Sequence, residues 1–146
     1  MIPISRRAAL FAALAAPLAA WAQDAAPDPE KEKENAGRIT AQGFLLVLDR
    51  RDWGTAWEST SALFRRNVPL GKWMDAIPQV RQPLGNLVER SVVGTGYKDS
   101  LPGHPGKGDY VTATFRSKFE NKEVEETLTV MREPDARWRV TGYQVR

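Results

Sequence analysis

Two ionisable side chains interrupt apolar alternation in the C-terminal half of the chain. Arg90 falls between Val88 and Val92, and Glu126 falls between Val124 and Leu128. Residues two apart on a strand share a face, so each charge points the same way as its apolar neighbours. A charge on such a stripe is costly unless it is paired or wet. Two arrangements meet that condition. One is a structural ion pair or polar cluster at the sheet end, with Arg81 as a further member. The other is the polar end of a ligand pocket, in which the pKa of Glu126 is raised for acid or base work. By the same parity Gln144 follows Trp138 and Val140 on the last strand. Arg90, Glu126 and Gln144 are therefore candidate ligand-binding residues.

His104, the single histidine, is the fourth candidate. It lies in Leu101-Pro102-Gly103-His104-Pro105-Gly106-Lys107-Gly108, a segment rigidly punctuated for a link between neighbouring strands. Loops of this kind often carry function or cover an opening. A Ser–His–Asp triad would have to use His104, yet no nucleophile elbow accompanies it, and a solvated loop histidine is the simpler assignment. Gly103, Gly106 and Gly108 do not make a phosphate loop, because Lys107 is followed by glycine and then by a strand pattern. Glu30, Glu32 and Glu34 alternate with Lys31 and Lys33 and lack calcium-loop spacing. There is no cysteine, which excludes disulfides, iron–sulfur clusters and thiolate zinc, and one histidine excludes multi-histidine metal sites. No catalytic residue, metal or cofactor is assigned.

The elements that must position these residues follow from length and pattern. A chain of 146 residues with 42% hydrophobic and 27% charged content is one globular domain with enough apolar matter for a core. Residues 1–22 have the features of a secretory signal: Arg6 and Arg7, an apolar stretch from Ala8 to Leu18, and Ala20-Trp21-Ala22 at the cleavage position. Ser5-Arg6-Arg7 also suits a twin-arginine route. The stretch is too short to anchor in a bilayer, so a periplasmic or secreted location is expected and no membrane span. Cleavage near Ala22 removes two arginines and no acid, and leaves 19 basic against 18 acidic residues, net +1. That balance offers no clustered basic face for nucleic acid.

Gln23–Asn35 is a flexible charged leader, and 36–146 is a single domain. Asp28-Pro29 is a helix-start signal. The first helix covers about Glu30–Arg51, and Phe44-Leu45-Leu46-Val47-Leu48 is apolar on every side, which predicts a surrounded helix. Asp52 caps a second helix through about Arg65, carrying Trp53, Ala56, Trp57, Thr60 and Phe64 on one stripe. A third helix follows Pro69 with Trp73, Ile77, Val80 and Leu84 in register; Pro78 should kink or shorten it, and Gly85 should end it. Then the period changes to alternation. Strands are predicted over Leu87–Gly94, Asp109–Phe119, Val124–Arg132 and Arg137–Val145. The fold class is α+β: three N-terminal helices packed on a four-stranded antiparallel curved sheet. Trp57, Trp73, Phe115 and Trp138 are the expected core anchors.

An ordered set of residues resembles the family catalogued as domain of unknown function 4019, whose members look like small exported bacterial proteins. The set runs from Leu48-Asp49 through Trp57, Trp73, Arg81-Gln82-Pro83-Leu84-Gly85 and Arg90. It continues through Leu101–Gly106, Tyr110, Phe115 and Glu126-Thr127 to Trp138-Arg139-Val140-Thr141-Gly142-Tyr143. The resemblance covers about Gly37 to the C-terminus and implies a fold and a location, not a mechanism. The layout also resembles a cystatin-like or nuclear-transport-factor-two-like cone, a shape that hosts enzymes and non-catalytic modules alike.

Three functional expectations follow. The first is a non-catalytic periplasmic module that binds a ligand or a protein partner. The second is a small isomerase or hydrolase that uses Glu126. The third is a homodimer formed through an outer sheet stripe of Arg137, Arg139, Thr141 and Tyr143 beside Thr127, Thr129 and Met131.

Overall fold

The structure, a computed structural model, describes residues 26–104 and 106–146. The expected signal segment and the start of the leader lie outside the described residues. Helix α1 spans Pro29–Asp49. Asp28 caps it by accepting from the amide of Glu30 at 3.0 Å, and Pro29 occupies the first turn, where no amide is lost. Glu30 and Glu32 sit favourably at the positive end of the helix dipole. The helix thus starts where the Asp28-Pro29 signal places it, within a residue of the expected Glu30.

One face of α1 is buried, through Gly37, Ala41, Phe44, Leu45 and Leu48, while Ile39 and Leu46 stay exposed. The helix lies across a surface rather than being surrounded, which corrects the expectation drawn from its apolar second half. Gly37 permits the approach: a Cβ at that position would fall 2.5 Å from Cβ of Val111.

The expected second helix is two helices, α2 (Trp53–Glu58) and α3 (Ala62–Asn67). Ser61 breaks the run. Its amide donates to the carbonyl of Val140 at 2.9 Å, its hydroxyl meets that of Thr141 at 2.8 Å, and the same hydroxyl accepts from the amide of Phe64. Sheet contacts thus replace the turn of helix that would join α2 to α3. Trp57 is half-buried and donates to the carbonyl of Val68 at 2.7 Å.

Helix α4 spans Leu70–Arg81 and runs through Pro78 to a short 3-10 turn over Gln82–Leu84. Trp73, Ile77 and Arg81 face inward, and Val80, expected in the core, is exposed. Trp73 packs edge-on against Phe64 and donates to the carbonyl of Trp53 at 2.7 Å. Gly85 takes a positive φ of 79°, the conformation that lets the chain turn into the sheet.

The sheet is an antiparallel meander in the order β1 (Leu87–Lys98), β2 (Tyr110–Phe119), β3 (Glu123–Arg132), β4 (Trp138–Val145). Helix α1 contacts all four strands. Phe44, Leu45 and Leu48 meet Phe115, Leu128, Val130 and Val140 in the main core. Trp73 and Phe115 are buried in it, whereas Trp57 and Trp138 pack against its margin. The fold is α+β, as the pattern of periods predicts.

Three register slips shape the sheet. On β1 the pairing slips between Leu87 and Glu89 and again between Val92 and Gly94, leaving Val88 and Val93 as extra residues. Between β3 and β4, Thr129 pairs with Gly142 and Val130 with Val140, leaving Thr141 extra. A bulge of one residue reverses the faces beyond it. Tyr143 is therefore opposite Leu128 on the inner side, and Gln144 is opposite Thr127 on the outer side. Strand β1 also continues four residues beyond its expected end. At that far end Tyr97 donates to Asp109 at 2.6 Å, and Lys33 of α1 donates to the same carboxylate at 2.9 Å.

The helix–sheet contact yields a paired test. Gly37→Ala should destabilise by about 1–3 kcal/mol, because the added carbon has no room against Val111. Gly43 lies on the open side of the same helix with nothing within 4 Å of an added Cβ. There Gly43→Ala should stabilise by up to about 1 kcal/mol through helix propensity. Urea denaturation measures both; equal responses at the two positions would refute the close approach.

Candidate functional site

Arg90 and Glu126 meet on the inner side of the sheet, and two further charges join them. Asp49 is the last residue of α1, one helical turn past buried Leu45. Arg81 is the last residue of α4, one turn past buried Ile77. Each thus continues a buried row into the site. Arg90 donates to both oxygens of Asp49, at 2.7 and 3.0 Å, and to Oε1 of Glu126 at 2.8 Å. Arg81 donates to Oδ1 of Asp49 and to Oε2 of Glu126. The charges form a closed ring in which every acid touches both bases and every base touches both acids.

The ring is buried. Side-chain exposure is 0% for Glu126, 3% for Arg81, 11% for Arg90 and 14% for Asp49. Neighbours complete it. Tyr143 donates its hydroxyl to Oε2 of Glu126 and accepts from Arg81 at 3.1 Å. Ser117 accepts from Nε of Arg90 at 2.8 Å. The Arg81 guanidinium lies 5.0 Å from the centre of the Phe119 ring.

Burial alone would lower the pKa of Arg81, but Tyr143, Glu126 and Asp49 outweigh it and raise the net value. For Arg90, burial is likewise outweighed, chiefly by hydrogen bonding to Asp49 and by the charge of Glu126. Burial and then the charge of Glu126 push the Tyr143 phenol well above its ordinary value, so it remains a donor.

All four carboxylate oxygens accept from arginine, so both acids are fully engaged within the ring. Among the described residues no three His, Cys, Asp or Glu side chains form a group that could hold a metal ion.

Beside the ring an open groove of about 460 Å³ runs between α1 and β1. Its walls include Leu46, Val88, Val92 and Phe115, and Arg90 reaches it from the ring. Val88 is 61% exposed and Leu46 is 54% exposed. Parity had placed Val88 and Val92 inside the core. They do lie on the groove side, but α1 leaves them uncovered.

The remaining candidates lie elsewhere. Gln144 is exposed on the outer side, in a hollow with Phe64, Thr127 and Thr129. The bulge at Thr141 removes it from the site and substitutes Tyr143. His104 sits in the connector, with its ring 5.4 Å from that of Tyr110, at the opposite end of β2 from Ser117. The outer stripe drawn for a homodimer is also broken: Thr141 is buried, Tyr143 faces inward, and Arg139 binds Glu133 and Asp135. Asp49, Ser117 and Tyr143 were missed as members of the site. A charged residue one turn beyond a buried helical row signals Asp49; nothing in simple alternation signals the reversal that brings in Tyr143.

A family model described as a protein of unknown function, DUF4019, matches residues 40–143. The chain belongs to that family. The matched span contains every member of the ring and ends at Tyr143. No curated protein and no solved structure matches the chain.

Removing one member of the ring strands an opposite charge out of water. Arg90→Met or Glu126→Gln alone should each cost about 3–5 kcal/mol in urea denaturation. The double substitution should cost clearly less than their sum, because the Arg90–Glu126 contact is lost in both singles and the double leaves Asp49 paired with Arg81. Strictly additive losses would exclude direct coupling between the two.

Proposed function

We propose that this member of the DUF4019 family is an exported, non-catalytic binding module of the periplasm whose binding surface is the groove between α1 and β1. The observation that carries the reading is the state of Glu126. A general acid or base must reach the proton that it transfers. Glu126 has no exposed side-chain surface, and both of its oxygens are held by arginine. The enzyme reading required an accessible carboxylate at this position. The adjoining groove offers what a binding site needs: a concavity of small-molecule size with apolar walls and a few convergent polar groups.

Export is supported by Arg6-Arg7, the apolar Ala8–Leu18 stretch and Ala20-Trp21-Ala22. Mass spectrometry of protein from cell fractions should find a periplasmic or secreted chain beginning at Gln23. Mature cell-associated protein that retains Met1 would overturn the location. Replacing both Arg6 and Arg7 with Lys stops export if the twin-arginine route is used, and unchanged export assigns the general secretory route.

The binding surface is tested with the uncharged dye N-phenyl-1-naphthylamine. Its fluorescence should rise saturably with protein. Leu46→Glu and Val88→Glu, both at exposed positions where the fold tolerates a charge, should each weaken binding about tenfold or more. Dye binding that is absent, or indifferent to both substitutions, would overturn the groove as the binding surface.

A further inference from the structure

We propose a second binding site, a saccharide site that takes one neutral pyranose ring in the hollow where α3 meets the outer side of β3 and β4. It is independent of the groove, which opens on the inner side of the sheet. The hollow measures about 320 Å³, room for a single sugar ring with its substituents.

Gly142 lines this hollow opposite Thr129. Its φ is not in the left-handed region, so the backbone there does not require glycine. The extra residue of the neighbouring bulge is Thr141, so the bulge does not require it either. A Cβ on Gly142 would lie 3.4 Å from Oγ1 of Thr129 and take up space that stands open. A glycine inside a strand weakens it, and close approach by a ligand is one of the few features that offset the loss.

The polar atoms select the ligand. Asn67 and Gln144 are exposed in the hollow, and Thr127 and Thr129 are half-buried there. Hydroxyls and carboxamides each both donate and accept. A carboxylate, phosphate or ester only accepts and an ammonium only donates, so each leaves part of this lining unanswered. Saccharide hydroxyls do both. Phe64 and Val68 supply an apolar wall for the C–H face of the ring.

No residue that lines the hollow carries a formal charge at neutral pH. The charges around it are directed elsewhere. Arg65 turns back to the carbonyls of Glu58 and Thr60, at 2.9 and 2.7 Å. Arg66 projects from α3 about 200° round from Phe64. Glu125, the next outer residue of β3, is opposite Arg116. A peptide is excluded as a fifth strand by Ser61, whose amide already holds the Val140 carbonyl at the free edge of β4.

The test is an amide NMR titration of the isotopically labelled full chain with the methyl pyranosides of glucose, galactose, mannose and N-acetylglucosamine, each to about 50 mM. At least one should shift the Thr129, Gly142 and Gln144 resonances saturably and leave those of Val88 and Val92 in place. The uronic acid and 2-amino forms of the same ring should bind about fivefold more weakly or worse. Gly142→Ala, which the 3.4 Å clearance lets the fold accommodate, should weaken binding about fivefold or more. Thr129→Val, which keeps the shape and removes the hydroxyl, should do the same, as should Gln144→Ala at its exposed position. Unmoved Phe115 and Leu128 resonances verify the fold of each variant. The proposal is overturned if none of the four pyranosides shifts the hollow, if the charged forms bind as well, or if binding survives all three substitutions.

Discussion

Four charges taken out of water must cancel one another, and this demand ties together elements far apart in sequence. Asp49 closes α1, Arg81 closes α4, Arg90 comes from the edge strand and Glu126 from an inner one. A buried ion ring of this kind is weak evidence for stability, because desolvation offsets most of the attraction. Its physical effect is on choice among arrangements. Sliding either helix by one turn, or β1 by one residue, would leave a buried charge without its partner. Apolar contacts alone would penalise the strand slip, which turns each side chain to the other face, but not so sharply a helix displaced by one turn; the ring penalises both.

The apolar contacts supply the driving force on that frame. Phe44, Leu45 and Leu48 settle on Phe115, Leu128 and Val130, and the missing side chain at Gly37 lets the helix come down onto Val111. Helix α1 crosses the sheet close in and leaves Val88 and Val92 of β1 uncovered. The groove is the geometric remainder of that choice, and it opens beside Arg90.

The change from helical to alternating period at Gly85, three of the four strands to within a residue, and the inward placement of Arg90 and Glu126 were legible in the sequence. Each depends on local repetition, which sequence displays directly. What was not legible depends on contacts between distant segments. The break at Ser61 exists because the backbone there hydrogen-bonds β4, and helical spacing from Trp53 to Phe64 conceals it. The exchange of Gln144 for Tyr143 follows from one extra residue at Thr141, to which strict alternation is blind. Val80 and Arg81 were both available to the buried row of α4, and the acids awaiting a partner decided in favour of the arginine.

Strand β1 is an edge, twelve residues long, with Val88, Val92 and Val93 uncovered. Such an edge is a template on which another chain can nucleate a fibril-like stack, one backbone after the next. The two bulges counter this. They confine the regular ladder between them to Glu89–Val92, a run with a carboxylate and a guanidinium in it. The irregularities that displace Val88 and Val93 thus make the strand a poor seed, and this edge keeps its apolar surface with protection against self-association into aggregates.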